Sequence, residues 1–348
     1  MKHVFVSDLN TYELKETTKP QIQQPTDVIV RVTTTTVCGS DVHLLAGHMH
    51  DHWGYPLGHE FVGIIDEVGS EVYDLKVGDR VAAPAAPYCG NCDHCRRGQY
   101  QVCLRGGIYG SNMGNLGGAM AEYVRAPFAD ACLCKVPDSV TDAQAITVGD
   151  ILGTGYTAVK NALTKPGQVL LVFGAGPVGL SALHTARLFG ASKVIAVDAI
   201  ADRLELAKKM GATDVINISE KDTVEAVMEL TGGRGVDAIV DAAGVPATIQ
   251  SWAAVGAVGA KVAMIGIPGA PIEVNFTELL FKNISIWTGL GDLAHYNMNH
   301  LLSLIENKVL DPTPIFTENS SFDKIETAIS EFIDRKPGLV KPLVKVSE

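Results

Sequence analysis

The sequence predicts an α/β protein of two domains, and three observations carry that expectation. At 348 residues the chain is longer than one hydrophobic core comfortably organises. Its pattern changes near residue 150: short β-like runs broken by Gly, Pro and Asp come before, and apolar strands alternating with helical stretches come after. Thirty-five glycines gather in short motifs, as tight turns between strands and helices require.

Taken in order, "DVIVRVTTTTV", "EFVGIIDEVG" and "DRVAAP" read as strands of a mostly-β first domain. In the second half "QVLLVFGAG", "KVIAVD", "DVINIS", "DAIVDAAG", "AKVAMIG" and "ISIWTG" supply six strands, with helical segments between most of them. That alternation predicts βαβ units and a doubly wound, parallel six-stranded sheet. The apolar stretch 251–272 carries Lys261, four glycines and two prolines, so it reads as a buried helix-turn-strand rather than a membrane span. "YNMNHLLSLIENK" is an amphipathic helix, and the tail ending "GLVKPLVKV" is expected to return to the first domain, because six strands already complete the sheet. The expected boundaries are 1–151 with 291–348 for the first domain and 152–290 for the second. A lobe over 88–104 lies within the first.

Bulk charge narrows the partners. Twenty-eight basic against 39 acidic residues leave a net charge of −11, scattered rather than blocked, so nucleic acid and anionic membranes are not expected partners. The opening "MKHVFVSDLN" has charged and polar residues where an export signal needs an apolar segment. Seven cysteines, an odd number, then favour metal ligation over disulfides and a cytoplasmic location.

"VFGAGPVGL" places Gly174, Gly176, Pro177, Val178 and Gly179 directly after an apolar strand and at the start of a helix. A G-x-G-x-x-G pattern is weak alone. The flanking strand and helix, with Asp198 closing the next strand, make it a dinucleotide-binding turn. Gly174 makes the turn, Gly176 admits the pyrophosphate, and Gly179 lets helix and strand pack closely. A carboxylate at Asp198 suits a ribose 2′-OH and repels a 2′-phosphate, so NAD is expected over NADP. Arg203, a turn further on, works against that preference or stacks beside the adenosine.

"YCGNCDHCRRGQYQVC" sets Cys89, Cys92, Cys95 and Cys103 within fifteen residues, the donor set of a closed structural zinc site. An iron–sulfur run would end in Cys-Pro after a shorter spacing, and a DNA-reading zinc module would be basic. Cys38 in "VCGSDVH" and His59 in "GHEFVG" are the right residue types for a catalytic zinc, but their spacing alone does not join them. Taken singly, Cys38 could be a small core residue and His59 part of a hydrogen-bonded turn. Asp150 is the one charged residue between Asp142 and Lys160, so it must reach water, cap a turn or hold something.

"GHEFVGIIDEVGSEV" resembles the GHE-x-x-G-x5-G-x-x-V signature of the zinc-dependent medium-chain alcohol dehydrogenases, with the cysteine lobe and the nucleotide motif following in that family's order. The resemblance spans essentially the whole chain. It implies a GroES-like catalytic domain, a Rossmann domain and two zinc ions per chain. Cys38 and His59 then look like ligands of the catalytic zinc, and Glu60 like a nearby carboxylate that approaches the metal. Asp150 stands where many relatives have a second cysteine, as in bacterial secondary alcohol dehydrogenases whose third ligand is an aspartate. Ser40 and His43 match a proton relay, although Ser40 could also cap a helix. Thr154 resembles a residue packed on the nicotinamide, and Lys341 a basic group near the pyrophosphate.

The function implied is an NAD(H)-linked interconversion of secondary alcohols and ketones by a homodimer or homotetramer. A polyol or diol dehydrogenase of the same fold is one alternative, and a non-catalytic NAD-binding zinc protein another. Candidate pocket walls Ala85, Ala86, Tyr109, Trp287 and Leu290 are mostly small or apolar, which favours a simple alcohol. His48, His50 and His52 alternate but are read as a solvent loop. Cys132 and Cys134 read as one core face of a strand.

Overall fold

A computed structural model describes residues 1–49 and 52–347. His50, the middle member of the histidine run, lies outside them. The chain divides into two compact units, Met1–Gly153 with Asp292–Glu348, and Thr154–Gly291.

The first unit is built on a sheet in the order Phe316–Ser321, Lys341–Lys345, Val28–Thr36, Phe61–Val68, Arg80–Ala82 and Cys134–Lys135, with Tyr123–Ala126 also paired to Val28–Thr36. A small antiparallel sheet of Thr11–Glu16, Lys2–Asp8 and Tyr55–Pro56 accompanies it. Val28–Thr36 is buried along nearly its whole length, so its threonines must spend their hydroxyls internally. Thr33 donates to the Val62 carbonyl, Thr35 to that of Glu60 and Thr36 to that of Pro342. Thr35 thereby fixes the segment that leads into Phe61–Val68.

The tail is richer than its sequence suggested. Lys341–Lys345 returns antiparallel to Val28–Thr36, and Phe316–Ser321 adds a parallel partner. The helix Ile325–Ile333 sets Ile325, Ala328 and Ile329 into a core with Val4, Val37 and Val344. Cys132 corrects the strand reading: it closes a short helix, Ala129–Cys132, and only Cys134 is in a strand, although both are buried. Phe128, left-handed at φ 53°, turns the chain into that helix. The helix His295–Glu306 lies at the amphipathic segment.

The second unit is one parallel sheet in the order Asp214–Asn217, Lys193–Asp198, Val169–Phe173, Val236–Asp241, Gly256–Met264 and Ser285–Thr288. Numbered along the chain, that order is third, second, first, fourth, fifth, sixth, so the winding reverses between Val169–Phe173 and Val236–Asp241. In open sheets of this kind ligands bind outside the carboxyl ends of the strands at such a reversal. Among the described residues no helix is long and apolar enough to cross a membrane.

Candidate active site

The first unit gathers residues scattered over more than a hundred positions. Cys38 ends the run after Val28–Thr36 and caps the helix Gly39–Leu45. His59 and Glu60 precede the strand Phe61–Val68. Asp150 follows the turn Ile146–Gly149, which is pressed so closely on the strand end that a Cβ on Gly149 would lie 2.0 Å from the Ala83 carbonyl. One donor atom each from Cys38, His59, Glu60 and Asp150 then falls within 4.8 Å of the others. Asp150 Oδ2 is 3.4 Å from Cys38 Sγ and 3.3 Å from His59 Nε2.

The surrounding groups orient this set. Asp41, in the first turn of Gly39–Leu45, accepts the Cys38 N–H at 2.8 Å and puts its other oxygen 3.1 Å from His59 Nδ1, leaving Nε2 to face the cluster. This carboxylate was missed in the sequence, where only its place three residues after Cys38 marked it; a carboxylate behind a histidine is a usual outer partner of a metal ligand. Lys341 is 0 % exposed, and its ammonium donates to Glu60 Oε1 at 2.7 Å and to the Val37 carbonyl at 3.0 Å. Its charge neutralises Glu60 inside the first unit. Ser40 is not the helix cap, which is Cys38; its hydroxyl lies 3.1 Å from His59 Nε2. His43, one turn on and half-buried, pairs Nδ1 to Nδ1 with the exposed His48 at 3.1 Å.

The electrostatics show what the pocket lacks. Burial pushes the Cys38 thiol up, and the Asp150 carboxylate pushes it further. Burial also raises Glu60 against the pull of Lys341. Burial alone would raise Asp150 and lower His59, but the surrounding charges and hydrogen bonds together prevail: His59, Lys341 and Cys38 hold Asp150 below the carboxylate range, and Asp41, Asp150 and Cys38 raise His59 well above its usual value. Glu60 Oε2 is buried with no hydrogen-bond partner. A thiol, an imidazole and two carboxylates converging on one point, with an orphaned oxygen among them, fit a divalent cation of zinc type.

The four-cysteine lobe forms a second cluster, also within 4.8 Å. Cys92 Sγ lies 3.4 Å from Cys95 Sγ, and Cys103 Sγ lies 3.6 Å from Cys89 Sγ. The Cys95 N–H donating to it brings the Cys92 thiol down to about 6, while burial drives Cys95 up to about 12. Four sulfurs leave no open coordination position, so this cluster suits structural zinc. Cys132 lies in the same apolar cluster but is spent on Tyr88, donating to its carbonyl and accepting its N–H, both at 3.1 Å.

In the second unit Gly174 turns left-handed at φ 86°, Gly176 caps the helix Pro177–Thr185, and Pro177 and Val178 open it. A Cβ on Gly179 would lie 1.8 Å from the Gly174 carbonyl, so only glycine lets the helix close on the turn. A Cβ on Gly176 would meet nothing within 4 Å. The fold does not need glycine there, which leaves a cradle open above a helix N-terminus, as a pyrophosphate requires. Asp198 accepts the Ala175 N–H at 2.7 Å and the Ile200 N–H at 2.9 Å, bracing that turn with lone pairs to spare. Arg203 lies on the helix Ala201–Lys209, and Thr154 packs against Gly291. Of the expected pocket walls, Tyr109 is core, edge-on to Phe61, and Ala85 is buried. Trp287 is half-buried and Leu290 is exposed.

Comparison with known proteins identifies the family. The profile described as alcohol dehydrogenase GroES-like domain matches residues 24–138, and that described as zinc-binding dehydrogenase matches 177–307. An alcohol dehydrogenase from Cupriavidus necator is 35 % identical over 364 residues, covering 99 % of this chain and 98 % of its own. An L-threonine 3-dehydrogenase from Bacillus velezensis is 32 % identical over 321 residues, covering 90 % of each. The solved structure of an alcohol dehydrogenase from Thermus sp. ATN1 superposes with a TM-score of 0.93 at 36 % identity over 100 % of both chains. With the donor sets of two zinc sites, a dinucleotide turn and this likeness along its whole length, the chain belongs to the zinc-dependent medium-chain alcohol dehydrogenases, a family of oxidoreductases.

Proposed function

We propose that the protein oxidises secondary alcohols to ketones, and reduces them back, with NAD(H) as the hydride carrier. The observation that carries this reading is the Cys38, His59, Glu60 and Asp150 cluster with the Ser40 hydroxyl at its rim. Zinc held by these residues would polarise the oxygen of an alcohol or a carbonyl. The chain's own groups do the rest. Asp41 Oδ1, 3.1 Å from His59 Nδ1, would favour a proton on that nitrogen and leave Nε2 for the metal. Lys341 offsets the Glu60 charge, so the cluster keeps a modest net charge. Ser40 Oγ would accept the substrate hydroxyl proton while passing its own onward along the relay, and His43, lowered by burial and by His48, would take the relayed proton and release it to water.

In the second unit Gly174, Gly176 and Gly179 admit the diphosphate, the opening turn of the helix offers it the N–H groups of Val178 and Gly179 (Pro177 has none), and Asp198 accepts a ribose hydroxyl. Asp198 supports NAD over NADP. Thr154 and Arg203 are the remaining contact residues of this reading.

A homodimer or homotetramer belongs to the same reading. Ser285–Thr288 is the outermost strand of its sheet, with Leu290 47 % exposed and Phe281, on the preceding helix, 82 % exposed. An unpaired edge beside exposed apolar side chains favours a second copy.

The test is NAD(P)H absorbance with 2-butanol, 1-butanol, 2,3-butanediol and L-threonine, each with NAD⁺ and NADP⁺. Fastest turnover of 2-butanol with NAD⁺ is expected. Preference for the diol or the amino acid would move the chain to a polyol or threonine branch, and preference for NADP⁺ would refute the role of Asp198.

A further inference from the structure

Asp241 is a buried carboxylate that neither zinc site nor the glycine turn uses. It ends the strand Val236–Asp241 and is 0 % exposed, at the reversal point of the parallel sheet. Its Oδ1 accepts the N–H groups of Ala243 at 3.0 Å and Gly244 at 2.9 Å, and its Oδ2 accepts the Trp252 indole N–H at 2.9 Å. Its backbone carbonyl takes the N–H groups of Ile265 and Gly266, both at 2.9 Å. One residue thus ties down the turn after its own strand, the turn after the neighbouring strand and the helix Pro246–Val255.

Those turns reach the nucleotide cradle. A Cβ on Gly174 would lie 3.3 Å from Ala243, and one on Gly179 would lie 3.6 Å from the Ala242 Cβ. Gly244 is left-handed at φ 63°, and a Cβ there would fall 2.6 Å from the Gly266 backbone. The two turns are therefore locked against each other as well as against the glycine turn.

We infer that Asp241 is a positioning residue for the dinucleotide, holding the lip of the crevice opposite the glycine turn through its clamp on Ala243, Gly244 and Trp252; this rests on the cofactor reading above. The acceptor count explains why a carboxylate stands there. Asparagine has one acceptor oxygen and one donor amide. Whichever way it turns, a donor meets either the indole N–H or the two backbone N–H groups. Replacing Trp252 by phenylalanine removes that conflict, because the amide can face the ring while its oxygen still holds the turn.

The experiment is calorimetric titration of the zinc-loaded protein, the variants Asp241→Asn and Trp252→Phe, and their double variant with NADH and with NADPH, alongside kcat at saturating cofactor. For Asp241→Asn the expected outcome is a Kd raised about tenfold with kcat within about twofold of wild type. The double variant should recover to within about threefold of wild type, a coupling that simple loss of stability would not produce. Asp241→Asn binding as tightly as wild type overturns the inference, as does a double variant no better than the single. If Asp241→Asn does not fold, Trp252→Phe alone decides: a Kd raised about threefold supports the clamp, and an unchanged one refutes it. Wild-type protein that binds neither nucleotide overturns the cofactor reading, and this inference with it.

Discussion

Gly176→Ala separates a glycine required by the fold from one required by a ligand. Gly176 has φ −75° and ψ −178°, backbone that alanine adopts freely, and a Cβ there meets no protein atom within 4 Å. The folded chain should tolerate the methyl group, and the unfolded chain loses freedom, a gain of about 0.4–1 kcal/mol. For a chain of this size that is a Tm increase of roughly 1–3 °C. If a diphosphate lies in the open space, the same methyl group displaces it from the helix N–H groups. Losing one charge-assisted hydrogen bond of about 1.5–3 kcal/mol raises the NADH Kd roughly ten- to a hundredfold. Differential scanning calorimetry and NADH titration read the two effects on one preparation, with zinc content as the control. Gly179→Ala supplies the contrast: its Cβ at 1.8 Å from the Gly174 carbonyl, against a floor of 3.0 Å for real contacts, must push the helix outward, so both stability and binding should fall. A Gly176→Ala protein that binds NADH as wild type does, or melts several degrees lower, would refute the cradle.

Other consequences follow from the same geometry. Asp150→Ala should lower zinc content from two ions per chain to one while leaving NADH affinity unchanged; two ions in the variant would mean that Asp150 holds no metal. Lys341→Met strands the Glu60 carboxylate in the core, which should cost about 3–5 kcal/mol and depress Tm far more than an exposed Lys→Met change such as Lys208→Met. Burial pushes the Cys134 thiol up to about 12 from 9.0, so the folded state prefers it protonated. Its contribution is complete below about pH 9 and is lost as pH rises towards 12, so Cys134→Ala should flatten the alkaline limb of Tm against pH. Parallel curves for wild type and variant would contradict this.

The local code was sufficient for several features. Each strand of the second unit is a short apolar run bounded by turn residues, so period and punctuation alone found all six, and the glycine turn was legible because strand, turn and helix are contiguous. The cysteine lobe was legible for the same reason, its four ligands lying within fifteen residues. Cys38, His59 and Asp150 lie far apart in sequence, and only a resemblance to a known family joined them beforehand. What assembles them physically is long-range: the pairing of Val28–Thr36 with Phe61–Val68, and the close approach of Gly149 to Ala83. Asp41 was overlooked because nothing local distinguishes a helix-opening aspartate from one that orients a histidine. The charge of Lys341 was visible in the sequence, but its partner was not. The sequence by itself determined the strands of the second unit, the contiguous glycine and cysteine motifs and the chemical types available. The tertiary structure decided which buried charges face each other, because Lys341 reaches Glu60 only after the tail has paired back onto Val28–Thr36.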